Sequence, residues 1–106
     1  MSKRKRRGLG SPPEVHARQA VEASDRAVGQ AKAAEASAQR GDCFRAFGTL
    51  VSSSEWLGSA FTSILSLPGS ERRLYDGRYE DAAVKLRDAK HVFEQRCMKK
   101  DKGGRR

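Results

Sequence analysis

At 106 residues and a net charge of +9, the chain is long enough for one modest hydrophobic core and too short for two. Two cysteines cannot by themselves supply a four-ligand zinc site, and three prolines in a chain rich in Ala, Arg and Glu favour helix over sheet. The surplus charge is confined to the ends: Lys3, Arg4, Lys5, Arg6 and Arg7 stand at the start without an acid, and Lys99, Lys100, Lys102, Arg105 and Arg106 stand at the end against Asp101 alone.

Between those ends, Ser11 to Met98 holds twelve basic and twelve acidic residues. The pattern predicts a neutral packed body at 11–98 between a basic arm at 1–10 and a basic tail at 99–106, both flexible. Five cations lead into Gly8, Leu9 and Gly10 with no apolar run behind them, so no secretion signal is expected. An intracellular setting follows as an expectation: host cytoplasm or virion, or the nucleus if the source is eukaryotic, with Lys3 to Arg7 then serving as an import signal. In such a setting Cys43 and Cys97 are expected as buried, reduced thiols, although an up-down-up bundle would bring them to one end where oxidation could join them.

The first helix is announced by Ser11 as N-cap, Pro12 at the first helical position and Glu14 completing a capping box. Ala17, Ala20, Ser24, Ala27, Ala31, Ala34 and Ala38 then recur at spacings of three and four as far as Arg40, and Gly41 is the expected stop. The predicted helix covers about 12–40 and would be roughly 43 Å long at 1.5 Å per residue. Its small stripe buries little area by itself and needs a close partner.

Asp42 caps a second helix over 43–67, which carries only Arg45 and Glu55 as charges. At 100° per residue Cys43, Ala46, Phe47, Leu50, Leu57, Phe61, Ile64 and Leu65 share one face, read as the core, with Ser54 and Gly58 admitting the alanine stripe. A membrane span is disfavoured by Glu55 near the middle, at roughly 2.5–3.5 kcal/mol on insertion scales, and by the many hydroxyls. Pro68 and Gly69 end this helix, and 70–77 reads as a connection in which Glu71 to Asp76 can form a helical turn with Leu74 and Tyr75 tucked inward. A third helix over 78–100 places Tyr79, Ala82, Ala83, Leu86, Ala89, Phe93 and Cys97 on one face. The expected fold is all-α, a three-helix up-down-up bundle.

Gly77, Tyr79 and Ala82, followed by Leu86 and Ala89, resemble the turn and second helix of a tetratricopeptide repeat, which implies a peptide-binding groove. The leader Lys3 to Arg7, Gly8, Leu9, Gly10, Ser11, Pro12, Pro13, Glu14, Val15 and His16, with the turn Gly41, Asp42, Cys43, resembles that of short uncharacterised proteins of tailed bacteriophages. That likeness implies a viral setting, a virion component among the options, and carries over no functional residue.

No phosphate loop, serine elbow, paired-cysteine motif or metal-binding helix is found, and His16 and His91 read as ordinary surface residues, His91 with Asp88 one turn away. No enzyme activity and no cofactor are expected. The ten terminal cations named above are the candidate nucleic-acid contacts, and lacking aromatic residues they would bind phosphate without choosing sequence. A viral structural protein is the other expected partner. Trp56 lies on a flank of the second helix outside its main face, and the first reading is that this flank packs on helix one or helix three. In the rival reading the protein is an adaptor whose surface at Trp56, or around Tyr75 and Tyr79, engages a protein or a second copy of the chain while the termini serve solubility.

Overall fold

In the computed structural model, which describes residues 13–98, the chain forms α1 (Pro13–Gln39), α2 (Cys43–Leu65) and α3 (Gly69–Phe93), and α3 widens into a π-helical turn over Glu94–Met98. The three helices run up, down and up. Ser53 of α2 meets Ala27 of α1, Arg78 of α3 meets Asp25, and Cys97 meets Cys43, so the described segment begins and ends at opposite ends of the bundle. Both predicted arms, and the Ser11 and Pro12 start signal, lie outside the described residues.

The stripe of α1 is buried as expected from Ala20 on: Ala20, Ser24, Ala27, Ala31, Ala34 and Ala38 are closed to solvent, joined by Ala23 and Ser37, while Ala17 near the helix start is half-buried. Gly41 then takes φ 84° and ends the helix. Its N–H donates to the Ala38 carbonyl at 3.0 Å and the Asp42 N–H donates to that of Ser37 at 2.9 Å, the pair of bonds that closes a left-handed helix cap. Asp42 in turn accepts from the Arg45 N–H at 3.3 Å and starts α2.

Three expectations are corrected, the third being the state of the two cysteines. The first is the connection at 70–77, which is helical: α3 begins at Gly69 rather than at Arg78. Pro68, at φ −58° and ψ 150°, needs no donor there, and its carbonyl accepts from the N–H groups of Glu71 and Arg72. The Arg72 guanidinium donates back to the Leu65 and Leu67 carbonyls at 3.1 and 3.0 Å, satisfying acceptors that the end of α2 leaves open. Leu74 is consequently exposed, and Gly77 lies inside a helix, so the turn that a tetratricopeptide likeness needs at that position is not made.

The second is the orientation of α2. Ala46, Leu50 and Ile64 are buried as expected, but Phe47, Phe61 and Leu65 are 58%, 47% and 48% exposed, and Ser54 and Gly58 face outward. In their place Ser53, Ala60, Ser63 and Leu67 are buried. Ala46, Ser53, Ala60 and Leu67 recur every seven residues, and α1 opposes them with alanines. Small side chains on both helices let the backbones come close enough for Ser53 Oγ to donate to the Ala27 carbonyl at 2.7 Å. Large side chains on the same face would hold the helices apart and forfeit those contacts.

The larger apolar residues gather where all three helices meet: Leu50 and Leu86 pack with Ala31, Ala34 and Ala89, with Leu57 and Phe93 against them. On α3, Ala82, Leu86 and Ala89 are buried and Tyr79, Ala83, Phe93 and Cys97 half-buried, as the periodicity predicts. Cys43 and Cys97 form a disulfide with Cα atoms 5.8 Å apart. Both are half-buried, which corrects the expectation of buried reduced thiols. The up-down-up topology brings the start of α2 beside the end of α3, within bridging distance.

Candidate functional site

The ten terminal cations, Lys3 to Arg7 and Lys99, Lys100, Lys102, Arg105 and Arg106, lie outside the described residues. What the structure does place is the body they flank. Its charges are mixed and mostly exposed, with Glu35, Glu71 and Lys85 half-buried, and Arg78 is bonded to Asp25 at 3.0 Å, Arg26 to Glu22 at 3.5 Å and Arg45 to Asp42 at 3.5 Å.

Trp56, the first expected interface anchor, is half-buried on the flank of α2 that faces α1, and the Arg26 guanidinium lies 5.0 Å from its ring centroid. A cleft of about 530 Å³ opens beside it, lined by Gln19, Glu22, Trp56, Ser59 and Thr62 among others. Hydroxyls and an amide dominate this lining, and its one ionisable group, Glu22, already pairs with Arg26. Tyr79 is also half-buried and stacks against Phe61, ring centroids 5.7 Å apart, and Tyr75 is half-buried one turn earlier. Trp56 and Tyr79 are thus engaged in contacts within the bundle.

Among the described residues no three His, Cys, Asp or Glu side chains are grouped to hold a metal ion, and no helix is long and apolar enough to cross a membrane. His91 and Asp88 are exposed, and His16 is half-buried near the start of α1.

The surface that the sequence reading did not single out is the outer side of α2. Phe44, Phe47, Val51, Ser54, Gly58, Phe61 and Leu65 follow one another at alternating steps of three and four, and every one is exposed, Phe44 to 91%. Phe47 and Phe61 lean towards α3, where Phe47 meets the ring of Phe93 at 6.2 Å. A shallow groove of about 260 Å³ runs there, with Phe47, Val51, Phe93 and Met98 in its walls. The signal was present in the sequence as a second heptad pattern on the helix. It was hidden because the large residues were assigned to the core that the small residues occupy.

Comparison with family models, with curated proteins and with solved structures returned no match for this chain.

Proposed function

We propose that the protein is a non-enzymatic accessory or structural protein that contacts nucleic-acid phosphates through Lys3 to Arg7 and Lys99 to Arg106. Charge segregation carries this reading: the body balances twelve cations with twelve anions, and the whole excess of +9 belongs to the termini. Polyanions are the partners that such clusters attract, by neutralising phosphates and releasing condensed counterions. Aromatic residues are missing from both clusters, so the contact is with backbone phosphate and little sequence is read. The likeness of the leader to tailed-phage proteins makes a viral particle the setting of this proposal.

Binding to random-sequence duplex DNA across a salt series tests it. If five or more terminal cations meet phosphate, log affinity falls against log salt with a slope of about −4 or steeper. Replacing the ten cations by Gln abolishes binding while the helical spectrum stays unchanged. A flat salt response, or full binding by the Gln-substituted chain, contradicts the proposal.

A further inference from the structure

We infer that the outer stripe of α2 is a self-association surface on which a second copy of this chain docks, α2 against α2, about a two-fold axis. The stripe is Phe44, Phe47, Val51, Ser54, Gly58, Phe61 and Leu65, at steps of three, four, three, four, three and four. That is the spacing of a helix-pairing seam, and it spans roughly 32 Å at 1.5 Å per residue. No charged residue interrupts it. Large side chains stand at both ends and the small Ser54 and Gly58 near the middle, so a copy of the stripe laid on itself sets small against small where the helix axes come closest. A Cβ added at Gly58 meets nothing within 4 Å in the single chain, so the gap there is open to an approaching helix. Such a surface is its own complement, as a two-fold interface requires.

The area argues the same way. At 150–250 Å² for a fully buried aromatic side chain, the exposed parts of Phe44, Phe47 and Phe61, with those of Val51 and Leu65, amount to roughly 500 Å² per copy. Two copies then remove on the order of 1,000 Å², the minimum expected of a biological interface and the size of a weak, concentration-dependent one. Residues 1–12 and 99–106 offer little apolar surface to match the stripe, with Met1, Leu9 and Pro12 as their only sizeable apolar side chains. An anionic membrane is a poorer fit: Arg45 is the single cation on α2, and Glu55 flanks the middle of the stripe. The inference is independent of the nucleic-acid reading.

Sedimentation equilibrium of the full chain at high micromolar concentration tests it, with two variants that differ only in place. Val51 lies in the stripe and Val84 lies on α3, away from it, and the two are 43% and 44% exposed. The wild type and Val84→Glu sediment at twice 11.7 kDa, and Val51→Glu sediments at 11.7 kDa with its helical spectrum retained. A second measurement avoids reliance on the folding of Val51→Glu: with Cys43 and Cys97 bonded, Ser54→Cys is linked across two chains by a short bis-maleimide and Ser59→Cys is not. A wild type at 11.7 kDa, equal masses for the two Glu variants, or equal linking at 54 and 59 overturns the inference. So does a monomeric wild type that binds vesicles of anionic lipid through Phe44.

Discussion

At the scale of single residues, the hydroxyls explain how a helix so rich in Ser and Thr can be the middle of a bundle. On the open side of α2 they turn back on their own helix: Thr49 donates to the Arg45 carbonyl at 3.0 Å, Thr62 to that of Gly58 at 3.0 Å and Ser66 to that of Thr62 at 3.1 Å. At the α1 interface Ser53 and Ser24 are both closed to solvent but differ in partners. Ser53 donates across the interface, whereas Ser24 Oγ is buried with no hydrogen-bond partner among the described residues. An unpartnered buried hydroxyl costs about 1–3 kcal/mol, and a typical net hydrogen bond contributes about 1 kcal/mol. Ser24→Ala is therefore expected to stabilise the fold by about 1 kcal/mol and Ser53→Ala to destabilise it by a similar amount. Urea unfolding followed by circular dichroism separates the two by the sign of the midpoint shift.

At the scale of elements, what could be read in advance depended on whether local rules and packing agreed. On α1 they agreed, because a run of alanines at spacings of three and four can bury only one way, and Gly41 has the positive φ that its place after the helix calls for. On α2 they competed: two apolar stripes lie side by side, and choosing between them requires knowing that the partner offers alanines. The start of α3 was obscured by Gly77, which reads as a turn residue yet sits within the helix, held by the cap at Pro68 and by Arg72. A helical glycine costs about 1 kcal/mol relative to Ala, and a Cβ at Gly77 meets nothing within 4 Å. Gly77→Ala should thus raise the stability by about 0.5–1 kcal/mol. At Gly41, with φ 84°, the same change should lower it. Thermal melts of the two variants, displaced in opposite directions, are the check. The candidate site followed the same division: the charge clusters were plain in the sequence, and the α2 stripe became visible only once the small residues were seen to face inward.

At the scale of the whole molecule, the consequence of packing small on small is a thin core. Ten of the fourteen buried apolar residues are alanines, and none of the four phenylalanines is buried. Such a core removes little apolar area from water, and the Cys43–Cys97 bond compensates in part: closing a loop of 54 residues contributes roughly 4 kcal/mol in the chain-entropy account. Reduction of that bond would withdraw the contribution, so the fold should be less stable in the presence of a thiol reductant. The inward turn of Ala46, Ser53, Ala60 and Leu67, which leaves Phe44, Phe47 and Phe61 outside, is the claim on which the core, the groove and the proposed pairing all depend. Hydroxyl-radical footprinting at a dilution that keeps chains apart tests it most directly. Phe44, Phe47 and Phe61 should be oxidised faster than Leu67 and Leu86; protection of the phenylalanines together with rapid oxidation of Leu67 would contradict it.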